Sequence, residues 1–232
     1  MFDAKKLLDQ MMGAAENIAG KENIDRAKAA IAANPGMAKA AALALQWSCL
    51  APRRGAAPAD GVVKLGGLAA VGGLAYKAYQ NWQAKQGVAA GTATRELAAP
   101  PDDSPFATNN ASEQDSARAF LVAMISAAKA DGHVDADEQK RIFGRMNEMI
   151  VGTEAKVFLM DEMMAPNDIG RVIKLATSHE RAVAIYTASC WAIDLDQADE
   201  QAWLEGLAKG MKLEPALTEE IEKAVKQERA LA

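Results

Sequence analysis

The sequence predicts an all-α protein, and three observations support this prediction. Half of the 232 residues are hydrophobic but only 5% are aromatic, because alanine, leucine and methionine dominate the apolar content. Apolar residues recur at helical spacing on both sides of a carboxylate-rich turn at residues 130–138. No segment shows the alternation of apolar and polar residues that is typical of a β-strand.

The carboxylate-rich turn has the sequence of a helix end followed by a helix start. Asp131 and Gly132 end the first helical pattern, since glycine readily adopts the left-handed conformation that closes a helix. Asp135 stands at the N-cap position of the second helix, and Glu138 completes a capping box. The flanking apolar residues are Phe120, Leu121, Met124, Ile125 and Ala128 upstream, and Ile142, Phe143, Met146, Met149 and Ile150 downstream.

Charge and composition divide the chain into three parts. Residues 1–86 contain 11 Lys and Arg against 6 Asp and Glu, whereas residues 87–232 contain 15 against 25. We predict an N-terminal helical, membrane-associated region at 1–86, a flexible linker at 87–111 and an all-helical domain at 112–232. The net positive charge of residues 1–86 suits an anionic membrane surface. The net negative charge of residues 87–232 argues against nucleic acid as a partner.

The N-terminal region contains a predicted amphipathic helix at 1–19, a second helix at Ile24–Ala33 and an uncharged stretch at Ala40–Ala51. A further stretch, Gly61–Trp82, reaches a marginal membrane length and ends in tyrosine and tryptophan. Its small residues, Gly66, Ala69, Ala70 and Gly73, favour close helix packing. Membrane attachment and a soluble helical hairpin that self-associates both remain open.

The C-terminal domain is predicted to contain about seven helices. Thr153 opens a helix over Glu154–Met164, the sequence at 166–168 breaks it, and Ser178 caps a later helix. Three apolar stripes are expected to face the core: Val183, Tyr186, Cys190 and Ile193; Trp203, Leu204, Leu207 and Met211; and Leu217, Ile221 and Val225. A methionine cluster, Met146, Met149, Met160, Met163 and Met164, is expected to fill core space, with Met163 or Met164 available to an adaptable partner surface.

The first acidic turn has an echo further along the chain, which suggests two pseudo-repeated helix-turn-helix units. The candidate metal ligands are Asp131, Asp135 and Glu138 from the first turn and Asp194, Asp196 and Glu200 from the second. Carboxylate oxygens are the ligands that calcium and magnesium prefer. Helix capping by Asp135 and Glu138 explains the first turn without a metal, so capping and a divalent cation remain alternatives.

The sequence contains no catalytic constellation, so we predict that the protein is not an enzyme and has no small-molecule substrate. Its two histidines, His133 and His179, pair with no recognisable nucleophile. Its two cysteines, Cys49 and Cys190, lie in apolar helical patterns and are expected to be buried free thiols. A protein partner or a second copy of the chain is the remaining class of partner.

The chain resembles the tellurite-resistance TerB-like family at residues 126–138, at residues 189–196 and at Glu200, Trp203, Leu204 and 207–208. Its opening, residues 1–8, and residues 64–83 are similar to the YebE-type branch of bacterial inner-membrane proteins of unknown function. The resemblance implies a TerB-like helical domain and a membrane-associated N-terminal region. It also implies a sensing or scaffolding role linked to metal or envelope stress. The positive flanks Arg53, Arg54, Lys64 and Lys77 favour the cytoplasmic side for the helical domain.

Overall fold

The computed structural model describes residues 2–13, 60–87, 97–102, 104–107, 113–130, 152–193 and 198–231. Within these ranges it confirms the all-α prediction, because it contains eight α-helices and no strand. The helices are α1 (Ala4–Gly13), α2 (Asp60–Lys85), α3 (Glu113–Ala128), α4 (Thr153–Met164), α5 (Ile169–Ile173), α6 (His179–Ala192), α7 (Ala198–Gly210) and α8 (Pro215–Leu231).

Helix α2 is the central helix of this arrangement and packs against α1, α6 and α8. Between Gly67 and Ala78 it is buried on nearly every side. Its enclosed apolar residues are Leu68, Ala70, Val71, Leu74, Ala75 and Ala78. A helix that is apolar all round is typical of a protein core as well as of a membrane. None of the described helices combines the length and hydropathy needed to cross a bilayer. Membrane attachment stays a prediction.

Two glycines of α2 allow other backbones to approach it closely. A Cβ atom on Gly67 would lie 2.8 Å from the carbonyl oxygen of Leu8 in α1. A Cβ atom on Gly73 would overlap the carbonyl oxygen of Ala98. Ala98 belongs to the crossing segment, which we define as residues 97–102 and 104–107. Of the four small residues predicted to serve helix packing, Gly73 and the buried Ala70 are therefore used inside the protein.

The crossing segment comes from the part of the chain that the sequence predicts to be a linker. Although this part has few large apolar residues, Leu97 and Phe106 are both buried in the main hydrophobic cluster. The Phe106 ring lies 5.9 Å from the ring of Tyr76 and 5.3 Å from that of Tyr79. A short stretch of polar sequence thus contributes two side chains to the core that α2 forms.

The first turn of α1 is hydrogen-bonded to Gln114 of α3, which lies more than a hundred residues later in the chain. The Gln114 Oε1 atom accepts a hydrogen bond from the backbone N–H of Ala4 at 2.8 Å, and its Nε2 atom donates to Asp3 Oδ1 at 2.8 Å. Asp3 also accepts from the backbone N–H of Lys6, so it caps the helix. The Phe2 ring stacks on Phe158 of α4 with centroids 4.8 Å apart. α1 is therefore held by specific contacts at its first turn.

The predicted helix boundaries of the C-terminal part agree with the structure where it is described. The Asp168 side chain accepts a hydrogen bond from the backbone N–H of Gly170, which caps α5 after the predicted break. Ser178 caps α6 in the same way through the N–H of Arg181. All three predicted apolar stripes are buried. Among the methionines, Met163 is buried, whereas the prediction of core filling is wrong for Met160 and Met164, which are exposed.

Several sequence predictions fall on residues outside the described ranges. These are the helices predicted at 14–19 and Ile24–Ala33, the stretch at Ala40–Ala51, the helix after Glu138, and residues Cys49, His133, Met146 and Met149. They stay predictions.

Candidate functional site

Helices α3 and α6 begin side by side and pack on each other. Arg181, in the first turn of α6, donates from Nη2 to the carbonyl oxygen of Asp115 at 3.1 Å and from Nη1 to Ser116 Oγ at 3.3 Å. The first turns of the two helices are therefore adjacent. These helices also have the most extensive packing of any described pair. Because the two helices start side by side and pack extensively on each other, we infer that they run in the same direction.

Beyond this contact the two helices have similar lengths. At a rise of about 1.5 Å per residue, α3 extends about 18 Å beyond Ser116 and α6 about 17 Å beyond Arg181. Buried alanines reduce the bulk of both helices: Ala117, Ala119, Ala123 and Ala127 on α3, and Ala184, Ala188 and Ala192 on α6. The chain leaves α3 towards Asp131 and leaves α6 towards Asp194. The described ends of α3 and α6, from which the sequence continues into the two acidic turns, therefore lie at similar distances from the contact between their first turns.

Hydrogen bonds between Lys129 and the region that joins α4 to α5 hold the end of α3. Asn167 Nδ2 donates a hydrogen bond to the carbonyl oxygen of Lys129 at 2.7 Å. The Lys129 ammonium donates in turn to the carbonyl oxygens of Glu162, at 3.1 Å, and Ala165, which are the last carbonyls of α4. A cation at a helix C-terminus is favourable because it opposes the helix dipole. Burial lowers the pKa of Lys129.

The end of α6 is fixed by a different helix. Arg229, near the end of α8, donates from Nη1 to the carbonyl oxygen of Ile193. Ile193 is the last described residue before the second acidic turn. Each turn therefore starts from a backbone carbonyl that accepts a hydrogen bond from a side chain of another element.

The structure describes one of the six predicted metal ligands. Glu200 lies in the first turn of α7, and its residue surface is 4% exposed. The other five, Asp131, Asp135, Glu138, Asp194 and Asp196, lie outside the described residues. Within the described ranges, no group of three or more His, Cys, Asp or Glu side chains is placed to hold a metal. The metal site stays a prediction.

Two tryptophans on either side of the second turn have buried indole N–H groups without a hydrogen-bond partner. They are Trp191, 7% exposed in the last turn of α6, and Trp203, 9% exposed in α7. A buried donor left unsatisfied costs about 1–3 kcal/mol, so a hydrogen-bond acceptor near either indole N–H would stabilise the folded protein. In metal sites, the carboxylates that hold the ion also accept hydrogen bonds from neighbouring groups.

Two further buried polar side chains of α6, Tyr186 and Cys190, do not form an activated nucleophile. Tyr186 donates from its hydroxyl to Glu222 Oε1 of α8 at 2.7 Å. Cys190, one turn further along α6, is fully buried, and burial raises the pKa of its thiol well above the usual value. The predicted buried free thiol is confirmed for Cys190. A thiol that stays protonated is a poor nucleophile. The hydrogen bond from Tyr186 to Glu222 is what joins α6 to α8.

Sequence reasoning missed Asn167, Arg181 and Arg229, which fix the two helices that carry the turns. Each donates to a backbone carbonyl at least 36 residues away. Any asparagine or arginine in the chain could make such a bond, so nothing in the sequence distinguishes these three. Ser178 and Asp168 were recognisable because their hydrogen bonds are local.

Comparison with known proteins places this chain among uncharacterised relatives. It is 24% identical over 110 residues to an "Uncharacterized protein in ampR 5'region" from Yersinia enterocolitica, which covers 47% of this chain and 79% of that protein. No solved structure matches the chain. Residues 35–225, most of the sequence, match a family described as "Protein of unknown function (DUF533)". The chain is a member of the DUF533 family.

Proposed function

We propose that this chain is a non-enzymatic sensing or scaffolding protein whose two acidic turns bind a divalent cation, with calcium or magnesium as the candidates. The observation that carries this proposal is the contact between the first turns of α3 and α6 and their extensive packing, from which we infer that the two helices run side by side towards both acidic turns. Carboxylates that are brought together repel one another, and a hard cation relieves that repulsion.

Two further observations support the same function. The ends of α3 and α6 are tied by Asn167 and Arg229, which would limit the positions available to both turns. The buried indole N–H groups of Trp191 and Trp203 are donors suited to carboxylates that already hold a cation. The resemblance to the TerB-like family adds, by analogy, a connection to metal or envelope stress.

For the Gly61–Trp82 stretch we propose a role in the protein core. The support is the burial of α2 by α1, α6 and α8 and the fit of its glycines to Leu8 and Ala98. Association with the bacterial inner membrane, with the C-terminal helices in the cytoplasm, is implied by the resemblance to YebE-type proteins. Such association would then depend on residues outside α2.

The cation proposal is tested on the full chain, because α1 and α2 pack against the C-terminal helices. We expect millimolar calcium or magnesium to raise the melting temperature relative to protein in a chelator. A ligand that binds only the folded state stabilises it by about 2.7 kcal/mol at a concentration 100 times its Kd. Asp131→Asn and Asp194→Asn should each reduce this rise while leaving the metal-free melting temperature nearly unchanged.

Asp168→Asn is the matched control, since it makes the same charge change at an exposed helix cap outside the two turns. It should preserve the cation-dependent rise, because asparagine caps a helix about as well as aspartate. If calcium, magnesium and manganese all leave the melting temperature of the wild-type chain unchanged, capping is the sufficient explanation of the acidic turns.

A further inference from the structure

Helix α4 carries an apolar surface that no described residue covers. Three large hydrophobic side chains are exposed in the described part of the chain, and all three belong to this helix: Val157 at 51%, Met160 at 41% and Met164 at 58%. Their spacing of three and four residues places them in one stripe along the helix. Single exposed apolar residues are ordinary, whereas a contiguous stripe marks an interaction surface. We call these three residues the α4 stripe.

The α4 stripe has the spacing of a coiled-coil seam. Val157, Met160 and Met164 occupy successive a, d and a positions of a heptad, and the opposite face of α4 is buried in the core through Phe158 and Leu159. In the same heptad frame, Lys156 is a g residue and Asp161 is the following e residue. In parallel two-stranded coiled coils, g and e residues of opposite charge pair across the seam.

We propose that the α4 stripe binds a second copy of this chain, with the two α4 helices side by side and parallel. In that arrangement, Lys156 of each copy faces Asp161 of the other, so the surface is complementary to itself. An antiparallel pair would instead place the g residues of both copies on one side of the seam and the e residues on the other, so Lys156 would not face Asp161. This self-complementarity is the reason to choose a second copy over the helix of an unrelated protein.

The size of the surface sets the strength of the association. Three side chains per copy bury far less than the roughly 800 Å² per partner that is typical of stable interfaces, so the dimer is weak and concentration-dependent. Methionine suits such a surface, because its flexible thioether adapts to a neighbour. Lys156 also interacts within its own chain, so the ion pairs between copies set orientation more than affinity.

Sedimentation of the full chain, from about 5 to about 500 µM, tests the proposal over the range in which a weak dimer dissociates. We expect the wild-type chain to pass from monomer to dimer. Met160→Glu should weaken association at least about tenfold, a change of about 1.4 kcal/mol, because it places charge in the seam. Ala202→Glu, at an exposed position of α7, is the matched control and should associate like the wild type.

A wild-type chain that stays monomeric throughout this range overturns the proposal, and so does a Met160→Glu chain that associates normally. The melting temperature of dilute Met160→Glu should equal that of the wild type, since the side chain is exposed. A clear fall in the melting temperature of the monomer would mean that the chain itself covers the stripe, which also overturns the proposal.

Charge reversal tests the orientation of the two helices. Lys156→Glu should weaken association by placing glutamate opposite aspartate, and Asp161→Lys should do so by placing lysine opposite lysine. The double variant should restore it, because the pair is reversed on both sides of the dimer. If the double variant is no better than the single variants, parallel pairing is wrong.

Discussion

Helices α2 and α4 show opposite relations between hydropathy and location. The sequence of α2 suggests a membrane segment, yet Leu74 and Val71 at its centre are fully buried by other helices of the chain. The methionines of α4 suggest core filling, yet Met160 and Met164 face outwards. Apolar composition shows that a side chain needs an apolar neighbour. It does not show whether that neighbour is lipid, the same chain or a partner.

The difference between the two helices lies in the elements that pack on them. Helix α2 is covered on different sides by α1, by α6 with α8, and by the crossing segment. Helix α4 packs mainly against α3, through the face that includes Phe158 and Leu159. The described residues therefore leave one face of α4 uncovered, whereas they enclose α2 on nearly every side between Gly67 and Ala78.

The largest difference between the two helices should come from removing a large apolar side chain from each. Leu74→Ala should lower the free energy of unfolding by about 2–5 kcal/mol, because it leaves a cavity among packed helices. Met164→Ala should change it by less than about 0.5 kcal/mol, because its side chain is largely exposed. Urea denaturation followed by circular dichroism, at a concentration where the chain is monomeric, measures both. Equal effects would contradict the different burial of the two helices.

A smaller effect is expected from adding one carbon to α2. Gly73→Ala should destabilise the protein by about 1–3 kcal/mol, because the new methyl group meets the backbone oxygen of Ala98. The better helix propensity of alanine, worth about 1 kcal/mol, offsets part of this cost. Gly72→Ala is the matched control, since it lies in the same helix and the nearest atoms to its added Cβ are 3.4 Å away, an ordinary contact distance. A bilayer would tolerate the alanine at Gly73, so an unchanged or raised stability would argue for α2 in lipid.

The smallest effect concerns the attachment of α1 that encloses one side of α2. The hydrogen bond from Gln114 and the cap to Lys6 lower the pKa of Asp3 below its ordinary value of 3.8. A carboxylate with a lowered pKa in the folded state contributes stability above that ordinary value, which is lost as the pH falls through the folded-state pKa. Amide hydrogen exchange in α1 should therefore quicken below about pH 4, relative to α6, once its intrinsic pH dependence is removed. Asp3→Asn should abolish this dependence, because asparagine retains the cap but does not titrate.

The helices of the C-terminal part were predictable because their start and stop signals are local. Asp168 and Ser178 cap the helix that begins at the next residue, and the apolar stripes of α6, α7 and α8 follow the helical period. The position of α1 was not predictable in this way. Gln114 is 110 residues from Ala4, and an isolated glutamine has no sequence signature that identifies its partner.

The candidate site was predictable to a smaller extent. The composition of the acidic turns identified a cation as the ligand to test, and the echo between the turns suggested that they belong together. The adjacency of α3 and α6 is seen in the contact between Arg181 and Asp115. Helical periodicity does not reveal such a contact. The exposure of Met160 and Met164 also depends on which helices pack beside α4, so their spacing alone left two outcomes open.

The enclosure of α2 by helices encoded far downstream has a consequence for synthesis of the protein. Lys85, at the end of α2, forms its ion pair with Glu220 of α8, which is 135 residues later in the chain. At about 5–20 residues per second, a ribosome needs about 7–30 s to make that interval. During that time the nascent chain carries an apolar, glycine-rich helix that has α1 available but not yet α8, which completes its enclosure. Completion of α8 is therefore the step that closes the core, and until then α2 is a natural target for chaperones.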